Sequence, residues 1–214
     1  METLWDGGPS IEQRPGVFPM GTDAVILGDF VRLQGQERVL DLGTGSGILP
    51  ILLGYERQSL KLTAVEISGA ACSLARENFR RNRMEHRVTL IHGDLRQYAA
   101  LLPCEGFDVA VANPPYFQSG SGAPASGGLR SAREDDTCTL EELCSAAGWC
   151  TRWGGSFYLV FRPDRFCDLV TALRGAGFEP KRIRPVHHSR AHPVNLLLLQ
   201  ARRGGKPGLQ WDPD

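Results

Sequence analysis

The stretch Asn113-Pro114-Pro115-Tyr116 carries the most specific chemistry in this sequence. Two adjacent prolines donate no backbone hydrogen bonds and stiffen the chain, a poor choice for packing directly after an apolar run. They suit a carbonyl oxygen that must point one way. The Asn113 side-chain oxygen and the Pro114 carbonyl can then both accept from one planar NH₂ group. Tyr116 offers an aromatic face on which a flat substrate stacks. A conjugated amine is a poor nucleophile because its lone pair is delocalised. Two acceptors that grip its hydrogens favour the pyramidal geometry that frees the lone pair. Orientation and electrostatics then supply most of the rate, with no dedicated general base. If the amine belongs to a nucleic-acid base, that base has to leave its stack.

The second constellation is Asp41-x-Gly43-x-Gly45-x-Gly47. The apolar run Val39, Leu40 and Leu42 stops at the glycines and reads as a buried strand. The glycines allow a tight turn with no Cβ in a ligand's way. Beyond it, Ile48, Leu49, Ile51, Leu52 and Leu53 predict a helix, with Pro50 tolerated in its first turn. Strand, glycine turn and helix N-terminus together form a nucleotide-cofactor cradle. The spacing is not the Gly-x-Gly-x-x-Gly of dinucleotide binders. Asp41, at the entry to the turn, would repel a pyrophosphate and welcome an ammonium. The next strand, 62–65, ends at Glu66, placed to accept from a ribose diol. A cofactor carrying an ammonium, a sulfonium and a ribose fits better than a nicotinamide dinucleotide. That cofactor is S-adenosylmethionine, and these residues resemble the class I methyltransferase family.

The elements that must position these groups follow from the pattern. Thr22 or Asp23 reads as the N-cap of a helix over 24–33, and 68–83 as an amphipathic helix. Ala71, Leu74, Ala75 and Phe79 face its inside, and Arg76, Arg80, Arg81 and Arg83 face water. Strands are predicted at 88–91, ending towards Asp94, and at 107–112, which delivers Asn113. Thr139 to Glu142 resembles a capping box for a helix running to about 153, which Gly154-Gly155 would break before a strand at 156–161. A helix over 163–176 and strands at 181–186 and 194–201 complete the reading. The glycine- and serine-rich loop 117–136 is expected to be a mobile lid, with Arg130 and Arg133 able to clamp a phosphate backbone. His187, His188, His192, Arg184 and Arg190 crowd one turn. No acid or cysteine joins them, so a basic hairpin is expected there rather than a metal site.

With 214 residues, 24 Lys+Arg against 24 Asp+Glu and a formal net charge of zero, any nucleic-acid surface must be local. One domain spanning 1–214 is expected. The six cysteines show no metal spacing, and no long apolar run is present, so reduced thiols in a cytoplasmic, metal-free protein are expected.

The order glycine turn, Glu66, Asp94, Asn113-Pro114-Pro115-Tyr116 resembles the N6-adenine methyltransferases. Gly21 to Ala24, the arginines after Tyr116 and the tail Gly204 to Gly208 are similar to the tRNA1(Val) adenine-37 N6-methyltransferase family. The resemblance implies an α/β, Rossmann-like class I methyltransferase with a seven-stranded, mostly parallel sheet and helices on both faces. It implies that Asp94 accepts from the adenine amino group of the cofactor, with Leu95 donating its backbone N–H. It further implies that segment 1–36, through Thr22 and Asp23, closes over the methionine end. The substrate implied is adenine in RNA, foremost tRNA, bound by a monomer or weak dimer. Glutamine methylation in a protein, DNA adenine methylation and a cofactor-binding regulatory module are the competing readings. The first two lack the extra domains expected of them, and the intact motif set speaks against the third.

Overall fold

The computed structural model describes residues 2–17, 21–114, 138–189 and 191–213. A short hairpin pairs β1 (Glu2–Thr3) with β2 (Ser10–Ile11). There follow α1 (Thr22–Phe30), β3 (Arg38–Leu42), α2 (Ile48–Gly54), β4 (Lys61–Glu66), α3 (Gly69–Arg81), β5 (Val88–His92), α4 (Tyr98–Leu101) and β6 (Phe107–Ala112). After residue 137 come α5 (Leu140–Cys150), β7 (Thr151–Phe161), α6 (Phe166–Gly175), β8 (Phe178–His187), β9 (Val194–Arg203) and β10 (Gln210–Trp211).

The main sheet has the order β10-β8-β9-β7-β6-β3-β4-β5, parallel except for β9, which runs antiparallel to β7 and β8. Its central strands are largely buried, and their alternation sorts the apolar side chains to two cores. Val39, Val109 and Val111 pack with Leu27, Phe30, Ile51 and Phe79 from α1 to α3. Leu40, Ala110 and Ala112 pack with Leu143, Ala147, Leu169 and Leu173 from α5 and α6. Helices therefore cover both faces, as the sequence implies.

The sheet has eight strands rather than seven. Gln210 and Trp211 lie parallel to β8 because the next residue is tied down. Asp212 donates its N–H to the Ile183 carbonyl at 2.8 Å, and its carboxylate takes the Arg182 guanidinium at 2.5 Å. Two residues are too few to show a strand period in the sequence.

Two boundaries also differ. Gly154-Gly155 does not separate helix from strand: α5 stops at Cys150 and β7 already starts at Thr151. The register against β6 jumps from Phe107↔Thr151 to Val109↔Ser156, so the glycines form an irregularity inside the strand. Gly154 has φ +77°, and a Cβ on Gly155 would come within 2.7 Å of the Asp108 carbonyl. The capping box at Thr139 and Glu142 is present as expected.

In α1, Gly21 is the N-cap, and Thr22 and Asp23 are its first two helical residues without a side-chain cap. Asp23 still favours the positive end of the helix. The helix stops at Phe30 rather than 33, where Arg182 from β8 donates to the Phe30 carbonyl and its guanidinium lies 4.0 Å above the Phe30 ring.

Candidate active site

The chain runs β3, β4, β5 outwards and then returns to place β6 on the other side of β3. A crevice at the carboxyl ends of β3 and β6 is thereby created, the place where open α/β sheets bind ligands. The glycine turn leaves β3 on one side of it, and Asn113 and Pro114 leave β6 on the other. Sequence reasoning put these two motifs far apart in the chain, and the topology brings them together.

Gly43, Gly45 and Gly47 all have left-handed φ values, +80°, +56° and +85°. At Gly47 space matters too, because a Cβ there would meet the Phe79 ring at 2.6 Å. The N–H groups of the turn are spent internally. Gly43 and Thr44 donate to the Val65 carbonyl at 3.0 Å, Gly47 to the Thr44 carbonyl at 3.0 Å, and Gly45 to Glu66 Oε2 at 2.8 Å. Those groups are thus not free to form the donor nest that a pyrophosphate needs.

What the turn offers is negative charge. Asp41 is 2% exposed, and neither of its oxygens has a hydrogen-bond partner among the described residues. The Thr44 hydroxyl is also buried and unpartnered. Burial pushes the Asp41 carboxyl up to about 7; the nearby Thr44 hydroxyl acts against this rise, and the Glu66 charge adds to it. An orphaned buried acid is costly unless a ligand completes it. A cationic ligand fits that gap.

Glu66 braces two loops. Besides Gly45, it accepts from the Ser68 N–H through Oε1 at 2.8 Å. Each carboxylate oxygen keeps capacity for a further donor, so a ribose diol can still be accepted. Glu66→Ala removes this brace and the charged acceptor together. Calorimetry should show cofactor affinity reduced by roughly 1.5–3 kcal/mol. Unchanged affinity would remove Glu66 from the ribose.

Asp94 caps the 3₁₀ turn Leu95–Gln97 by accepting from the Arg96 N–H at 2.9 Å. The Arg96 guanidinium, 2.7 Å away, holds the Asp94 carboxyl below the usual range despite some burial. Leu95 is half-buried directly after it. Thr22 and Asp23 line an open groove with the 162–164 turn and the start of β9. Pro115, Tyr116, Arg130, Arg133 and the loop 117–136 lie outside the described residues.

Two residues escaped the sequence reading. Ile67 follows Glu66 and is 47% exposed, an apolar surface beside that acid on which a flat ring can rest. An apolar residue immediately after the acid that ends a strand was the available signal. Asn78 was hidden among the apolar positions of α3. It is fully buried, donates to the Ser46 carbonyl at 2.9 Å, and pairs with Glu12 through its N–H (2.8 Å) and carbonyl (3.1 Å). It therefore ties the glycine turn to the N-terminal segment. Arg184, read as part of a basic hairpin, instead lies between Asp29 at 3.5 Å and Asp212 at 3.8 Å.

Residues 10–173 match the family described as methyltransferase small domain. The chain belongs to that family. This methyltransferase is 31% identical over 197 residues to the tRNA1(Val) (adenine(37)-N6)-methyltransferase of Tolumonas auensis, covering 90% of this chain and 80% of the relative. It is 34% identical over 185 residues to the protein of the same name from Shewanella sp., covering 85% and 78%. A solved structure of a predicted O-methyltransferase from Agrobacterium tumefaciens superposes with a TM-score of 0.72 at 21% identity, over 89% of this chain and 85% of that one. TrmN from Thermus thermophilus gives 0.60 at 20%, over 84% and 48%. The fold is that of a class I methyltransferase, and the methyl donor of this enzyme is S-adenosylmethionine. Its ammonium suits the unpartnered Asp41, and its ribose suits Glu66. Among the described residues no group of three or more His, Cys, Asp or Glu is arranged to hold a metal, and no helix is long and apolar enough to cross a membrane.

Proposed function

We propose that this methyltransferase modifies the exocyclic N6 amine of adenine in RNA, with tRNA as the substrate. The observation that carries the reading is the crevice itself, where Asn113-Pro114 stands across from the glycine turn and its orphaned acid. The names of the relatives above support N6 of adenine and tRNA over other amines. S-adenosylmethionine supplies an electrophilic methyl group. The protein's part is to hold the amine. Asn113 Oδ1 and the Pro114 carbonyl accept its two N–H bonds and favour a pyramidal nitrogen, while Tyr116 stacks on the extruded base. Asp41 receives the cofactor's ammonium, Glu66 its ribose, and Asp94 with the Leu95 N–H its adenine. Gly43 and Gly45 leave room for its approach, and Gly47, where a Cβ would meet Phe79, lets the turn close beside it. Thr22 and Asp23 close the methionine end, and Arg130 and Arg133 clamp the RNA backbone. A cytoplasmic enzyme acting as a monomer or weak dimer belongs to the same reading.

The test is to incubate the protein with methyl-labelled cofactor and, separately, total tRNA, ribosomal RNA, DNA and protein. Label should enter tRNA and be recovered as N6-methyladenosine. Recovery in DNA, or in glutamine of a protein, would overturn the assignment.

A further inference from the structure

Beyond the cofactor crevice, the carboxyl edge of the sheet carries a second recess. It borders the proposed methionine end, sharing Thr22 and Asp23 at the start of α1 with it, and is completed by the 162–164 turn after β7 and residues 194–196 at the start of β9. The registers Ala112↔Leu159, Phe161↔Leu197 and Leu159↔Leu199 set its position. Asn113, one residue beyond Ala112, is level with the end of β7, so the recess lies roughly one to two strand spacings from it, about 5–10 Å. It lies on the side away from the glycine turn, and neither Asn113 nor Pro114 lines it. It is a shallow groove open to solvent, suited to one face or edge of a flat ring rather than to an enclosed ligand.

Its chemistry is that of a base reader. Val194 and Leu196 give half-buried apolar wall. Arg162 pairs with Asp164 at the surface through two bonds, Nε to Oδ1 at 3.0 Å and Nη2 to Oδ2 at 3.2 Å, which leaves Nη1 to donate elsewhere. Asn195 is exposed and stands at a break in pairing: the register passes from Val186↔Leu196 to His187↔Val194 and leaves it as the extra residue. Bulges beside active sites serve to re-aim a side chain. Two acids, Asp23 and Asp164, face one arginine here. A phosphate is thereby disfavoured, and a neutral ring bearing both N–H donors and acceptors is favoured.

Resting on the reading of the enzyme as an RNA adenine methyltransferase, we propose that this recess seats the nucleobase adjacent to the methylated adenosine. Asn195 and Asp164 read its edge, and Arg162 is a positioning residue. A splayed single strand presents bases in this way, and their edges are where sequence is read. Selection of the target adenosine among others then comes partly from this neighbour.

The experiment uses the full chain and tRNA transcripts that keep the target adenosine while each flanking nucleotide is changed in turn. For the native protein, kcat/KM should fall roughly tenfold or more on changing one flank, the scale of one good base-edge contact. Asn195→Ala should cut that preference to within about twofold and raise KM for the preferred RNA, with cofactor affinity unchanged. Asp164→Asn should act in the same direction, and Arg162→Lys should retain part of the preference. Asn195 is exposed, so loss of folding is not expected, and circular dichroism checks this. Labelled transcripts with no flank preference, or a preference that survives Asn195→Ala intact, would overturn this proposal alone. No label on any transcript, with label on another acceptor class, would overturn the RNA reading and this inference with it.

Discussion

Asn113→Ala is expected to lower turnover by about a hundredfold or more, the scale of losing one preorganised polar group, while S-adenosylmethionine binds as before. Asn113 is half-buried at the first position after β6, and Pro114 behind it is buried, so the pair is set by the sheet rather than by the substrate. In the proposed geometry the asparagine oxygen grips the amine most strongly as nitrogen becomes pyramidal. Its contribution lies in the transition state, and kcat falls more than either ligand's affinity. Tyr116 supplies the contrast. Tyr116→Ala should weaken the hold on the base by about 1–3 kcal/mol, whereas Tyr116→Phe keeps the stacking face and most of the activity. The checks are single-turnover rates with saturating RNA and, in parallel, calorimetric titration of the cofactor. Full activity of Asn113→Ala on every acceptor class would remove the amino-methyltransferase assignment, and a Tyr116→Phe variant as inactive as Tyr116→Ala would show that the hydroxyl acts.

The parts of this molecule legible in its sequence were those whose local chemistry has one structural solution. The run Arg38 to Leu42 followed by three alternating glycines can hardly be anything but a strand entering a left-handed turn, and β3 and α2 lie where that pattern puts them. β6 was legible for the same reason, a mostly apolar run, Phe107 to Ala112, that ends just before Asn113 and two prolines. What failed was decided by distant partners. Gly154-Gly155 reads locally as a break, yet pairing with β6 on both sides of it, Phe107↔Thr151 before and Val109↔Ser156 after, carries the strand through. β10 exists because Asp212 meets Arg182, 30 residues away in sequence and buried beneath it.

The site shows the same division. Asp41, Glu66, Asp94 and Asn113 each stand out by type and position, at or near the end of a strand or the opening of a turn. Their roles in the fold do not. Glu66 looked like a ligand for a ribose alone, and its hold on the Gly45 and Ser68 N–H groups appears only once β4 lies beside β3. Asn78 belonged to a helix face that hydrophobic spacing had already explained, so nothing marked it as the link from the glycine turn to the N-terminal segment.

Cofactor affinity should depend on pH through Asp41. In the folded protein this carboxyl is raised from 3.8 to about 7, chiefly by burial. The folded state therefore holds a proton that the unfolded chain releases, and as pH rises from about 4 towards 7 the group takes stability away from the ligand-free protein. Binding of the cofactor's ammonium favours the ionised carboxylate, so the proton leaves as the ligand enters. Affinity should then rise about tenfold per pH unit below 7 and level off above it, before the ligand's own amino group titrates near 8. Glu66 is the other acid that bears on Asp41, and the Thr44 hydroxyl opposes both burial and that charge. Glu66→Gln should therefore move the midpoint to lower pH, and Asp41→Asn should abolish the dependence at a cost in affinity. Titration calorimetry at pH 6 in two buffers of different ionisation enthalpy measures the effect directly, with close to one proton released per cofactor bound. Equal heats in the two buffers, or a slope retained in Asp41→Asn, would remove Asp41 from the ammonium.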